Sequence, residues 1–225
     1  MTYTHNAQQF YNLLRSNIIG KTGHLAFTLD NLSVKINSKD SIGHMLQEWV
    51  HLWANQRNIY LRPNAHSQSF PDFYLSDSNI YHLLEIKSFD AEASPNFDIA
   101  NFETYVRSIL KVPTKLDAHY LVFGYSLNDG VITIKNLWLK QIWELSTSSA
   151  QWALKIQQKQ GTIYNIRPVD FTSTRQNIAQ PFKNKQEFLL AIQSVLNSYD
   201  KTKLTHKNWL NNFKKSYYDA TGISL

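Results

Sequence analysis

Apolar residues recur along this chain with two different periods, and the two periods predict a mixture of helices and strands. Spacings of three and four residues, typical of an amphipathic helix, occur in five segments. The predicted helices are Asn6–Ser16, a segment from Asp40 or Ser41 to about Arg57, Ile99–Lys111, Lys185–Ser198 and His206–Tyr218. In the second of these helices an apolar stripe is formed by Ile42, Met45, Leu46, Trp49, Leu52 and Trp53.

Alternation of apolar and polar residues predicts the strands. A first hairpin joins Leu25–Leu29 to Leu32–Ile36 through a turn at Asp30 and Asn31. Further strands are predicted at Ile59–Leu61, Ala118–Tyr125, Val131–Ile134 and Thr162–Ile166. Strands and helices in this order predict an α/β or α+β fold, in which a mixed central β-sheet is flanked by helices.

Length and composition restrict the class of protein. The 225 residues suffice for one domain over 1–225, with a helical C-terminal part at about 185–225. The chain has no cysteine, which excludes disulfides and thiolate metal sites. Neither a membrane-spanning apolar run nor the pattern of a signal peptide is present, so we expect a cytoplasmic protein without a membrane partner.

The charge of the chain indicates a polyanionic partner. The formal net charge is +6 and the isoelectric point is about 9.3, and cationic side chains displace counterions from phosphates. The basic residues are dispersed, as they are in a cleft assembled from several elements. The sequence has no Gly-rich phosphate loop, so we expect no nucleotide cofactor.

The candidate chemistry lies in a second predicted hairpin. Pro71-Asp72 is followed after twelve residues by Glu85-Ile86-Lys87, and a polar turn separates two apolar runs between them. Side chains alternate between the faces of a strand, so Glu85 and Lys87 share one face while Ile86 lies on the other. Asp72, at the start of the neighbouring strand, is expected to meet them. Two carboxylates and an ammonium form a site for a hard divalent cation and an activated water.

This pattern, Pro71-Asp72 with Glu85-Ile86-Lys87, resembles that of the type II restriction endonucleases of the PD-(D/E)xK nuclease superfamily, over about residues 41–125. The resemblance implies a restriction-endonuclease-like core. It also implies Mg²⁺-dependent, sequence-specific hydrolysis of double-stranded DNA that leaves 5′-phosphate and 3′-hydroxyl ends. Because cutting at a palindrome needs two sites related by the symmetry of the DNA, we expect a homodimer.

The chemistry and the resemblance together assign roles to these residues. Asp72 and Glu85 are expected to hold Mg²⁺, and the resemblance adds the main-chain carbonyl of Ile86 as a ligand. Lys87 is expected to orient or deprotonate the attacking water. Glu48, on the helix before the motif, matches a further acidic residue of the family and would complete a second metal site, or hold a water or Lys87.

Candidate DNA contacts lie in two polar segments. The loop before the motif offers His66, Ser67, Gln68 and Ser69. The later segment offers residues that read guanine and adenine, and lysines suited to phosphates. Its candidates are Arg167, Arg175, Gln176, Asn177, Lys183 and Lys185. Both segments also fit ordinary solvated loops.

Other interpretations stay open at this point. Asp72 could organise a turn, Glu85 and Lys87 could form a solvated pair, and Glu48 could be an ordinary helix-surface glutamate. A DNA repair nuclease or junction resolvase of the same superfamily is the alternative enzyme. A DNA-binding module without catalysis, with a structural acidic cluster, is the alternative from another class.

Overall fold

A computed structural model describes residues 3–66, 69–173, 179–199, 201 and 207–225 of the chain. Two compact units are present. The first covers Met1–Ser94 and His119–Lys140, and the second covers Pro95–Ala118 and Gln141–Leu225. The single domain expected from chain length stays a prediction.

Six α-helices, one 3-10 helix and eleven strands form the described parts of the two units. The helices are α1 (Ala7–Ile18), α2 (Ile42–Gln56), α3 (Phe102–Lys111), the 3-10 helix (Pro113–Asp117), α4 (Ile142–Leu145), α5 (Lys185–Ser198) and α6 (Trp209–Thr221). The strands are β1 (Thr22–His24), β2 (Ala26–Leu29), β3 (Leu32–Lys35), β4 (Arg62–Pro63), β5 (Phe73–Tyr74), β6 (Leu83–Asp90), β7 (Ala100–Asn101), β8 (His119–Asn128), β9 (Val131–Gln141), β10 (Ile156–Lys159) and β11 (Thr162–Ile166). None of the helices in the described ranges is long and apolar enough to cross a membrane.

The first unit contains a six-stranded sheet in the order β1-β9-β8-β6-β5-β4. Its central strands β6 and β8 pair in parallel, with Glu85 opposite Tyr120, whereas β5 pairs with β6 antiparallel. The sheet is therefore mixed. The predicted fold class, a mixed central sheet with helices, is confirmed.

The core of the first unit lies between this sheet and the buried faces of α1 and α2. Phe10 of α1 meets Trp53 of α2 edge to face, with ring centroids 6.0 Å apart. Ile86 and Phe123 extend from the central strands into the same cluster. Each such side chain contributes about 1.5–3 kcal/mol when it leaves water, so this cluster fixes α2 against the strand that carries the motif.

The second unit is built from a three-stranded sheet in the order β10-β11-β7 and the helices α3 to α6. Trp209, Phe213 and Tyr217 of α6 are buried and follow one another at helical spacing. The Tyr217 hydroxyl donates to Asp117 at 2.8 Å, and Trp209 Nε1 donates to the carbonyl of Val106 at 3.4 Å. These contacts hold the predicted C-terminal helices in place.

Some predicted boundaries differ from the structure. Ile59–Leu61 was expected to be a strand, but Ile59 forms only an isolated bridge to Tyr3, and the strand falls on Arg62–Pro63. Helix α3 begins at Phe102, not Ile99, because the Asn101 side chain caps it by accepting from the N–H of Thr104. The start predicted for the last helix, His206, lies outside the described residues.

The apolar stripe predicted for α2 divides between two faces of the helix. Ile42, Leu46 and Trp53 are buried in the core. Met45, Trp49 and Leu52 are exposed. Periodicity alone does not distinguish a core-facing apolar position from an exposed one.

We predict that Gly130→Ala destabilises the protein more than Gly161→Ala, although both glycines lie in turns with positive φ. Gly130 and Gly161 both have φ near +73°, where a Cβ costs about 1–2 kcal/mol. A Cβ at Gly130 would also lie 2.9 Å from the carbonyl oxygen of Leu25, whereas one at Gly161 has no neighbour within 4 Å. In urea unfolding, Gly130→Ala should lose about 2 kcal/mol more than Gly161→Ala. Equal losses would contradict the close packing at Gly130.

Candidate active site

The β5–β6 hairpin brings Asp72 and Glu85 together. Phe73 pairs with Leu84, so Asp72, one residue before β5, lies opposite Glu85. The main-chain N–H of Asp72 donates to Glu85 Oε2 at 3.1 Å. The N–H of Ile86 donates to Asp72 Oδ2 at 2.7 Å. Each carboxylate is therefore oriented by the backbone of the other strand.

Strand alternation brings Lys87 to the same place. Its Nζ lies 2.8 Å from Glu85 Oε1, and its side chain keeps 20% of its surface exposed. The Ile86 side chain points the other way, into the core. The three side chains of the sequence motif thus converge at one point, as their spacing predicted.

The electrostatics of this point favour an added positive charge. Burial, and after it the negative charge of Glu85, raise the pKa of Asp72 to about 7. The N–H of Ile86, the ammonium of Lys87 and the side chain of Gln47 act in the opposite direction. Lys87 therefore compensates the two carboxylates only in part.

Helix α2 supplies the second wall of the site. A cavity of about 80 Å³ is lined by Asp72 and by one polar face of α2, and it has room for a few water molecules. The α2 residues are His44, Gln47, Glu48 and His51. Glu48 therefore lies where the sequence placed it, beside the motif. Gln47 was missed, although its spacing from Glu48 and His51 on one helix face was a usable signal.

The loop before β5 closes the same cavity. His66 and Ser69 line it, as does Asn64. The Asn64 amide donates to the carbonyls of Pro71 at 2.9 Å and Ser69 at 3.1 Å, which fixes the loop against the motif. Two other candidates from this loop, Ser67 and Gln68, lie outside the described residues. No sequence pattern predicted the contacts of Asn64, because its partners are backbone carbonyls.

The residues present fit a hard divalent cation. Across the described part of the chain, no group of three or more His, Cys, Asp or Glu side chains is placed to hold a metal ion. Mg²⁺ needs fewer, since it keeps several waters and binds through one or two carboxylates. Asp72 and Glu85 offer two carboxylates whose mutual repulsion a cation would relieve.

The other candidates for DNA contact belong to the second unit. The guanidinium of Arg167 is paired with Asp98. The ammonium of Lys185 is paired with Asp117, and Lys183 donates its main-chain N–H to Glu187 at 2.8 Å. Arg175, Gln176 and Asn177 lie outside the described residues. DNA contact by these residues stays a prediction. Arg167 and Lys185 would have to bind phosphates or bases while they are also paired with Asp98 and Asp117.

We predict that Asp72→Asn stabilises the protein in a pH-dependent way. The pKa of Asp72 in the folded chain, about 7, lies above its ordinary value of 3.8. Folding therefore takes up a proton between these values, and the free energy of unfolding falls as pH rises through that window. Urea unfolding should show the variant more stable by about 2 kcal/mol at pH 8, with the gain disappearing towards pH 4.

The matched control is Asp30→Asn, which makes the same chemical change at an exposed turn. A gain at pH 8 of the same size in both variants, or no gain in Asp72→Asn, would contradict the electrostatic picture of the site.

Comparisons with known proteins agree with this geometry. The sequence model of the NgoBV restriction endonuclease family matches residues 4–225. The type II restriction enzyme NlaIV of Neisseria lactamica is 34% identical over 215 residues, covering 94% of this chain and 88% of that protein. The type II restriction enzyme NgoBV of Neisseria gonorrhoeae is 33% identical over 157 residues, covering 68% of this chain and 89% of that protein.

A solved structure matches as well. The NlaIV restriction endonuclease aligns with a TM-score of 0.93 and 32% sequence identity, covering 100% of this chain and 93% of its own. The resemblance to a type II restriction endonuclease, first drawn from the motif, is therefore confirmed. With its fold and nearly its full length matched, the chain belongs to the NgoBV family of restriction endonucleases.

Proposed function

We propose that the protein is a homodimeric type II restriction endonuclease that hydrolyses double-stranded DNA at a specific sequence, with Mg²⁺ as its cofactor. It would leave 5′-phosphate and 3′-hydroxyl ends and act in the cytoplasm. The observation that carries the proposal is the convergence of Asp72, Glu85 and Lys87 at one partly open point. Membership of the restriction endonuclease family supports the reaction class.

The ligands of the cation would be Asp72, Glu85 and the main-chain carbonyl of Ile86. When bound there, Mg²⁺ would lower the pKa of a water and neutralise charge on the phosphate. The two carboxylates are already oriented for this role, because each accepts a hydrogen bond from a backbone N–H. Little reorganisation of the protein would therefore be needed on binding.

Lys87 would act on the attacking water. Its ammonium is held beside Glu85 by a 2.8 Å contact, and part of the side chain stays open to solvent. An ammonium has three donors, so Lys87 can keep this contact while donating to a water and to a phosphate oxygen. It would orient the water and stabilise the negative charge that develops on the phosphate.

The helix α2 would orient the site from the other side. The side chain of Gln47 hydrogen-bonds Asp72 and favours its ionised form, which is the form that binds a cation. Glu48 lines the same cavity and would hold a second cation or a water. His66 and Ser69, which also line the cavity, would contact the DNA beside the scissile phosphate.

We predict discrete fragments when the purified protein digests plasmids of mixed sequence with Mg²⁺, and no cleavage with EDTA. A sequence-specific enzyme cuts each plasmid at fixed positions, so sequencing of the fragment ends should show one shared motif and 5′-phosphates. A smear would indicate a nuclease without sequence specificity. Preferential cutting of branched DNA would indicate a junction resolvase, and binding without cleavage would indicate a DNA-binding module.

We predict that Lys87→Ala reduces the cleavage rate by at least about 10³-fold and retains sequence-specific binding in a gel-shift assay. The reason is that the variant loses the group that acts on the water but keeps both carboxylates. Lys39→Ala is the matched control, since Lys39 also pairs with a carboxylate of β6, that of Asp90. Near-normal turnover by Lys87→Ala would remove this lysine from the mechanism.

A further inference from the structure

One face of the β2–β3 hairpin is apolar and open to solvent. The register pairs Phe27 with Val34 and Leu29 with Leu32, so these four side chains share one face. They are exposed by 56%, 58%, 69% and 80% in that order. The opposite face carries Ala26, Thr28, Ser33 and Lys35. An amphipathic hairpin normally buries its apolar face, and within the described residues this one leaves it uncovered.

The hairpin is anchored to the sheet at its base. The N–H of Leu25 donates to the carbonyl of Gly130, in the turn between β8 and β9, at 2.7 Å. The N–H of Gly130 donates to Asn37 Oδ1 at 2.8 Å. These bonds fix the direction of the hairpin, which makes it a preformed surface.

Helix α2 exposes a second apolar surface in the same unit. Met45, Trp49 and Leu52 are spaced by four and three residues and form one stripe. The Trp49 ring stacks on Trp53, with centroids 6.3 Å apart. This stacking restrains the largest side chain of the stripe.

A groove connects the two surfaces. A cavity of about 360 Å³ is bordered by Met45 and Trp49 on one side and by His24 and Leu25, at the base of the hairpin, on the other. Its floor includes Ile132. Phe27 of the hairpin face follows Leu25 by two residues, and Met45 and Trp49 of the α2 stripe border the groove directly. The hairpin face, the groove and the α2 stripe are together called the hairpin–α2 surface.

The area and composition of this surface fit a second copy of the chain. Its seven apolar residues are 36–80% exposed and together present roughly 800 Å², close to the share of one partner in a standard protein–protein interface. Trp, Phe and Met are enriched in such interfaces, whereas a surface for DNA needs cations to neutralise phosphates. Two-strand cleavage also needs a second active site, and this argument rests on the function proposed above.

We propose that the hairpin–α2 surface is the dimer interface of this enzyme. In a two-fold dimer the same surface is used by both copies. Each hairpin would pack its apolar face against the partner and cover the groove beside the partner's α2. Polar residues of the other hairpin face would remain in solvent.

This interface would place the two active sites in a fixed relation. At about 100° per residue, the cavity face of α2, formed by His44, Gln47, Glu48 and His51, is centred about a third of a turn away from its exposed stripe. The same helix would therefore contact the partner on one face and line the site cavity on another. Dimerisation would set the spacing of the two cavities through two rigid helices.

Sedimentation velocity at protein concentrations between about 1 and 50 µM tests the interface independently of DNA cleavage. The wild-type chain should be a dimer, and the double variant Leu29→Asp with Leu32→Asp should raise the dissociation constant at least about 100-fold, since each interface would bury four uncompensated carboxylates. Folding of the variant should be unchanged by circular dichroism, because both leucines are exposed in the single chain.

The matched control places the same charges on the other face of the hairpin. Thr28→Asp with Ser33→Asp should leave the dimer intact, because these residues would stay in solvent. A wild-type chain that is monomeric throughout this range of protein concentration would overturn the proposal, even if another molecule covers the surface. So would a double leucine variant that remains dimeric, or a control that dissociates as readily.

If the double aspartate variant does not fold, a labelling experiment tests whether the hairpin face is buried in the dimer. The chain has no cysteine, so Leu32→Cys and Ser33→Cys each introduce one thiol. Maleimide should modify Leu32→Cys at least about tenfold more slowly than Ser33→Cys where the protein is dimeric. Equal rates would overturn the proposal. Cleavage by the wild-type enzyme is measured separately, so failure of the proposed function and failure of the interface are distinguishable.

Discussion

The structure of the site depends on the pairing of Asp72 with Glu85 across β5 and β6. The antiparallel register of β5 and β6 sets this pairing, and the two backbone N–H groups that orient the carboxylates belong to Asp72, one residue before β5, and to Ile86 of β6. Burial and, after it, repulsion from Glu85 raise the pKa of Asp72. The packed core that contains Ile86 and the buried face of α2 must supply the free energy that holds the two carboxylates together. The stability of the fold therefore maintains a site suited to a cation.

The strand that carries Glu85 and Lys87 is central in its sheet, and its partner on one side is parallel. A parallel pair needs a long connection between its strands. Here residues 91–118 make it, and Pro95–Ala118 of this connection belongs to the second unit. The two units are therefore interleaved along the chain.

The motif hairpin could be predicted from the sequence because strand alternation alone decides which side of β6 Glu85 and Lys87 occupy. The strand predicted at Ile59–Leu61 was wrong because its apolar residues pack in the core while its backbone bonds to Tyr3 and α2. Gln47 was missed since its function depends on a tertiary contact with Asp72. Likewise the six-residue stripe of α2 did not reveal that Trp49 and Leu52 are exposed, because periodicity reports hydrophobicity and not the neighbour that covers it.

Helix α2 has three kinds of surface, and each constrains the others. Its core face is fixed by Ile42, Leu46 and Val50, its polar face lines the site cavity, and its exposed apolar stripe carries Trp49. A helix is stiff over this length, so a shift of one face moves all three. An interface formed through the stripe would therefore act on the geometry around Asp72 through Gln47. In such an arrangement, assembly of the dimer would bear directly on the alignment of the site.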